Sequence, residues 1–293
     1  MTQNLDGSRR DFLSTSSKVL LGGVLSGLPA DSGVAAGSGL SPARGKYPII
    51  DCHAHVGIER LAGTDYDLTD PWDTVADPEI IVRHATEVGI DRTVIFPIEN
   101  LKFEEANKEV ADIVRRYPGR FIGFAKHDPV NEKGEIRALL FREVRELGLR
   151  GLKLHVQPTP EVLDAVKELG IPVLYHPLRV ALFEEFVPSY PTVNFILAHM
   201  GSDTSANWHE QLAAIELAKR YQNVHLDTSA SCIAELFERA FNELPPQQIL
   251  FGSDEVELDC RVTLERIRVL KLPAESEELI LGGNILRLLG GRL

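Results

Sequence analysis

Two histidines one residue apart, His53 and His55, stand at the end of the apolar run "PIIDCHAHVG" at positions 48–57. An extended strand sends alternate side chains to the same side. The pattern therefore predicts Asp51, His53 and His55 on one face, with Cys52 and Ala54 on the other. Two imidazoles on one face are half of a divalent-metal site. A hydrogen-bonded core histidine beside a chance neighbour is the alternative, and it stays open until the chain supplies further ligands.

The elements that would position them repeat one phrase after residue 46: a short apolar run, a loop, an amphipathic stretch, then a Gly, Asn or Pro stop. Strands are expected at 48–56, 92–98, 120–128, 150–156, 172–177, 194–200, 223–230 and 249–255. Between them, segments such as "PEIIVRHATEVG", "NKEVADIVRRYPG" and "PEVLDAVKELG" place apolar residues at three-and-four spacing, as amphipathic helices do. Asp77 followed by Pro78 reads as a helix N-cap, and Gly89, Gly119, Gly148 and Gly170 fall where helices stop. Short apolar strands alternating with helices make a parallel sheet buried on both faces. Eight of them in about 250 residues match an α/β fold, the (β/α)8 TIM barrel. An open doubly wound sheet would want a glycine-rich phosphate turn after its first strand, and "GIERLAG" is not one. The last segment, "SEELILGGNILRLLGGRL", reads as a closing helix interrupted at Gly282–Gly283.

In such a barrel the chemistry sits at the C-terminal ends of the strands, and the odd polar residues gather there. His53 and His55 end the first strand. Lys126, His127 and Asp128 end the third, and Lys153 and His155 the fourth. His176 ends the fifth and His199 the sixth. Asp227 and Ser229 end the seventh, and Asp254 the eighth. Six of the nine histidines thus fall on one rim, whereas random placement would scatter them over helices, as His84 and His209 are.

This pattern resembles the amidohydrolase superfamily. More closely it resembles the amidohydrolase-related branch that holds aminocarboxymuconate semialdehyde decarboxylase, resorcylate-type decarboxylases and several lactone hydrolases. The resemblance covers the chain after residue 46 and rests on "DCHAHVG", "GLKLH", "LYHP", "ILAHMG", "FGSD" and "GGNILRLL", in that order. It implies metal ligands at His53, His55, His176 and Asp254 and a catalytic histidine at His199, with Asp254 also able to pass a proton. One divalent ion is expected. Three imidazoles and a carboxylate suit Zn²⁺ with an open position, while Mn²⁺ or Fe²⁺ are also accommodated. In binuclear relatives a carboxylated lysine on the fourth strand bridges two ions. Lys153 is offered at that place, with an unmodified, charge-paired lysine as the simpler reading.

Substrate contacts are expected from His155, Lys153, His127 and Arg179, and from Trp72 in the long loop after the first strand, which also carries Arg60 and Tyr66. Each has a plain alternative as a rim or solvent residue. The expected activity is hydrolysis of a small lactone, ester or amide by a metal-activated water. Metal-dependent non-oxidative decarboxylation of a small aromatic or unsaturated carboxylic acid is the alternative on the same ligand set. A metal-scavenging protein without turnover would be expected to have lost His199 or Asp254, and both are present.

Residues 1–40 are expected to be an address rather than part of the fold. Arg9–Arg10, then Phe12 and Leu13, then the apolar stretch from Val19 to Leu28, look like a twin-arginine export signal. This implies the export machinery as a partner and a periplasmic or extracellular destination. That stretch is too short and glycine-rich for a stable membrane span, which needs about 20 apolar residues. The net charge is −12, which argues against nucleic acid as a partner. Cys52, Cys232 and Cys260 are too scattered for a disulfide framework, and Cys52 is read as a packing residue. The resemblance also allows a homodimer, since relatives often pair.

Overall fold

The computed structural model describes residues 47–58, 75–98, 102–202 and 207–291. The expected export signal and the loop residues Arg60, Tyr66 and Trp72 lie outside the described residues. The chain begins with β1 (Ile50–Ile58) and a two-residue strand β2 (Val75–Ala76) that pairs antiparallel with the end of β1. Then come α1 (Pro78–Val88), β3 (Arg92–Pro97), α2 (Phe103–Arg116), β4 (Phe121–Gly123), β5 (Ala125–His127) and α3 (Ile136–Arg145). The middle of the chain adds β6 (Leu152–Leu154), α4 (Pro160–Leu169), β7 (Val173–Tyr175), α5 (Val180–Glu184) and β8 (Phe195–Leu197). It finishes with α6 (Trp208–Arg220), β9 (Val224–Asp227), α7 (Ala234–Glu243), β10 (Ile249–Leu250), α8 (Cys260–Arg268), α9 (Ala274–Glu278) and α10 (Asn284–Leu288).

All pairings among the barrel strands are parallel, in the order β1, β3, β4 and then β5 to β10. β4 and β5 are two halves of one barrel strand. Phe124 between them donates to Ile95 O, and Ala125 then turns to Gly151 O. The other seam is closed by Cys52 N to Phe251 O at 2.9 Å, Asp254 N to His53 O at 2.8 Å and His55 N to Glu255 O at 2.6 Å. The result is a (β/α)8 barrel, as expected from the eight-fold alternation.

The helix ends follow the local chemistry. Asp77 caps α1 by accepting from Glu79 N, with Pro78 at the first position, and Gly89 ends the helix at φ 82°. Thr159 caps α4 in the same way before Pro160, and Gly170 closes it at φ 66°.

Two apolar layers hold the barrel. The outer layer packs Ile95, Leu152, Leu154, Val173, Phe195 and Leu226 against the helices. The inner one fills the barrel with Val94, Phe96, Ile122, Phe124, Leu174 and Leu250, and is closed from below by Ile285 and Leu288 of α10. The polar rim therefore stands on a solid apolar plug.

The closing helix is not interrupted at Gly282–Gly283. A π-helical turn over Leu279–Gly283 joins α9 to α10. The glycines are there because the chain entering β1 crosses this turn at contact distance. A Cβ at Gly282 would overlap the Pro48 carbonyl, whereas one at Gly283 would meet side chains alone, the Tyr47 ring and the end of Leu279. Gly282→Ala is expected to destabilise the fold by more than about 3 kcal/mol, because backbone must move. Gly283→Ala should cost distinctly less, and urea unfolding of the two variants side by side checks the order.

Candidate metal centre

The first strand does not alternate strictly. Its pairing with β3 slips by one residue between Asp51 and Ala54, a β-bulge. Ile50 and Cys52 therefore belong to the inner cluster, while Ala54 and Val56 belong to the outer one. This corrects the expected single face for Asp51, His53 and His55. Asp51 is turned away from the site, where it accepts from Ser253 N, Ser253 Oγ and His53 N. Burial pushes its carboxyl up to about 7. The bulge rotates His53 and His55 onto the inner face, their rings edge-on to Phe96 at centroid distances of 5.1 and 4.7 Å.

There they meet Asp254. Its Oδ1 lies 3.2 Å from His53 Nε2 and 3.3 Å from His55 Nε2, and all three residues are buried. Asp254 is presented from a left-handed backbone, φ 71°. His53 Nδ1 is taken by Asp227 Oδ2 at 2.8 Å, which leaves Nε2 as the lone-pair nitrogen. Asp254 Oδ1 and His55 Nδ1 are buried without a hydrogen-bond partner. With Asp254 Oδ1 left without a hydrogen bond between two ring nitrogens, this donor set fits a divalent cation. A buried amine is already beside them: Lys153 Nζ is 3.2 Å from His53 Nε2 and 4.8 Å from the Phe96 centroid.

The charges are tuned by burial. Burial would raise Asp254, but His53 and His55 beside it hold its carboxyl well below the usual range. Asp227 follows the same balance and is held down to about 2 by His53, His199 and Ser229. Burial brings Lys153 down to about 7, and His199 down to about 3, so the His199 ring is neutral at pH 7. Burial also depresses His155, with Lys153 and Lys126 adding to the effect.

The other expected site residues fall as follows. His199 stands with its ring 5.0 Å from His53 and 4.6 Å from His176. His176, half-buried, lies between His199 and His155, whose ring is 5.1 Å away. It is outside the tight set that His53, His55 and Asp254 form among the described residues. His155 also faces His55, at 6.1 Å. Arg179 is exposed at the start of α5. His127 does not reach the site. It points outward from β5, with Nδ1 on Glu132 at 2.8 Å and Nε2 on Glu143 at 2.7 Å. This corrects its reading as a substrate contact.

Three residues have roles that the sequence did not reveal. Lys126 is buried and in register with Lys153 on the inner face. Asp227 holds His53, and Ser229 reaches both His53 and His199. The signal available was their phase, since Asp227 and Ser229 share one side of the same strand end. His199 and Met200 both have φ 55°, and backbone strain of this kind in non-glycine residues gathers at functional sites.

A family model described as amidohydrolase matches residues 50–291. No curated protein sequence matches. Among solved structures, a dihydroxybenzoic acid decarboxylase from a Polaromonas species, with bound manganese and 2-nitroresorcinol, is 16% identical with a TM-score of 0.63. The match covers 84% of this chain and 98% of that one. The 5-carboxyvanillate decarboxylase of Sphingomonas paucimobilis is 16% identical over 83% of this chain and 99% of its own, with a TM-score of 0.62. A protein from Acinetobacter baumannii assigned as a 2-pyrone-4,6-dicarboxylic acid hydrolase, with citric acid bound, is 18% identical over the same shares, with a TM-score of 0.64. At these identities the likeness establishes the fold.

The outward His127 pair gives a pH-dependent stability. Burial opposes protonation, but Glu132 and Glu143 outweigh it and raise the ring to about 9. A raised folded value contributes stability that is complete below the ordinary value of about 6.5 and is lost as pH climbs through 9. His127→Gln should therefore cost on the order of 3 kcal/mol near pH 6, narrowing toward pH 10. Denaturant titrations of both proteins across that range check it; a pH-independent gap would refute it.

Proposed function

The chain belongs to the amidohydrolase family, and from that premise we propose that it is a metal-dependent hydrolase of a small lactone, ester or amide. The observation that carries this reading is the convergence of His53 Nε2 and His55 Nε2 on Asp254 Oδ1, at 3.2 and 3.3 Å, beside a neutral His199. His53, His55 and Asp254 would hold the ion, with His176 as the fourth ligand; Zn²⁺ suits the set, and Mn²⁺ or Fe²⁺ are accommodated. A bound divalent ion supplies Lewis acidity, polarising a carbonyl and making water a better nucleophile. His199 takes a proton from the attacking water, and Asp254 can carry one toward the leaving group. Lys153 and His155, on the inner rim, orient the substrate. Phe96 and the apolar plug below keep bulk water from the underside of the site.

A second reading, non-oxidative decarboxylation, uses the same ligands. It draws support from Lys126 and Lys153 side by side on the inner face, where a substrate carboxylate would be held. Two of the structural neighbours named above are decarboxylases. We also propose export by the twin-arginine route, supported by Arg9–Arg10 and the following apolar stretch. Cell fractionation of the natural chain and an Arg9→Lys, Arg10→Lys variant tests this, and equal export of both would refute it. Among the described residues no helix is long and apolar enough to cross a membrane.

The test of the activity is metal content together with a screen of small lactones, esters and aromatic carboxylic acids. Asp254→Asn is expected to abolish ion uptake. His199→Asn should keep the ion and lower kcat by about 10²–10⁴-fold. Oxygen-18 from labelled water should enter the product. Release of CO₂ without water uptake would overturn the hydrolase reading in favour of the second. Silence of the fully metallated protein would favour a binding role.

A further inference from the structure

Ser229 is buried just beyond β9, and its Oγ occupies the centre of a triangle of polar atoms. His199 Nδ1 is 2.9 Å away, His53 Nδ1 is 3.2 Å away, and Asp227 Oδ1 accepts directly from the hydroxyl. His53, His199 and Asp227 lie within reach of a common ion. The serine oxygen already stands among them, which makes this place a hydrogen-bond hub rather than a second cation site.

The protons of the hub can be counted. Asp227 is surrounded by donors: His53 Nδ1 on Oδ2, and His199 N, Ser229 N and the Ser229 hydroxyl on Oδ1. An ionised carboxylate only accepts, so the single serine proton goes to Asp227. The serine oxygen is left with lone pairs toward His199 Nδ1, and a hydrogen bond there requires the proton to be on that nitrogen. His199 Nε2 then carries no proton. The same carboxylate fixes His53 directly, through Nδ1, and frees its Nε2. It also accepts from the backbone N–H of His199, at 3.0 Å, where the chain is held at φ 55°.

We propose that Ser229 is a positioning residue: by relaying Asp227 to His199 Nδ1, it holds His199 in the tautomer whose Nε2 is free to take a proton. The inference rests on the reading of His199 as the base. Its structural content, however, can be tested in the metal-free protein without substrate. Loss of the hydroxyl leaves His199 Nδ1 without its acceptor, while the Asp227–His53 bond and the His53, His55 and Asp254 set remain. Partners of this kind, behind a reacting or ligating group, are typically worth about 10–100-fold in activity or affinity.

The experiment is nitrogen-15 NMR of histidine-labelled, metal-free protein at neutral pH, comparing the natural chain with Ser229→Ala and Ser229→Thr. In the natural chain His199 should show a protonated Nδ1 and an unprotonated Nε2. Ser229→Ala should shift the ring to a tautomer mixture, and Ser229→Thr, which keeps a hydroxyl, should restore the original signals. The affinity of Zn²⁺ measured by titration should stay within about threefold in Ser229→Ala, while kcat falls about 10–100-fold with KM little changed. A protonated Nε2 in the natural chain would overturn the proposal even if no variant folds. An unchanged tautomer in Ser229→Ala would overturn it as well. Absence of hydrolysis with the expected NMR result would count against the proposed function alone.

Discussion

The seam between β1 and the segment after β10 is the constraint on which the site depends. Three backbone hydrogen bonds, from Cys52, His55 and Asp254, close the barrel there. The same three bonds bring Asp254, about 200 positions away in the sequence, to 3.2 Å from His53 Nε2 and 3.3 Å from His55 Nε2. Closing the fold and assembling the donor set are a single event. Outside the seam, Glu255 braces it. Its carbonyl accepts from His55 N, and its carboxylate accepts from Cys260 N at the start of α8 and pairs with His84 of α1. The ligand set is thus clamped from the helical layer as well as from the barrel.

Such a cluster of buried polar groups would be costly if any member lacked a partner. The chain meets this cost by sharing. Asp227 serves one imidazole, one hydroxyl and two backbone N–H groups, and Asp51 on the outer side serves Ser253 and His53 N. What remains unshared is informative. Asp254 Oδ1, which faces both ring nitrogens, is left without a hydrogen bond at the centre, and that is where an ion would complete the accounting. Two buried lysines on the inner face place amines as well as carboxylates at the rim in a low-dielectric setting.

Much of this was legible in the sequence, because barrel strands are short, apolar and separated by well-capped helices. Asp77–Pro78, Gly89 and Gly170 behave as their residue types predict. The rim residues were legible by phase, and His53, His55, His199 and Asp254 all face inward. Phase also misled. The strict alternation placed Asp51 with the histidines, and only the slip in pairing against β3 separates them. His127 sits one residue beyond Lys126 on the same strand end, so a shift of one position separates an inward lysine from an outward histidine held by two glutamates. Those glutamates come from the neighbouring turn and helix, whose packing is invisible to local spacing. Gly282 reads as a helix breaker by propensity, yet the helix continues through a π turn because the entering strand needs the space.

By itself the sequence determined the alternation of strands and helices, the barrel that follows from it, and the types of donor available at one rim. These depend on periodicity and capping, which act over a few residues. Tertiary structure alone decided which donors meet. The order of convergence, the bulge that turns His53 inward, the relay from Asp227 through Ser229 and the outward course of His127 all depend on contacts between positions far apart in the chain. A register shift of a single residue, about 3.3 Å along a strand, reverses which face a side chain occupies. No local pattern carries information at that precision, whereas the closed ring of eight strands imposes it.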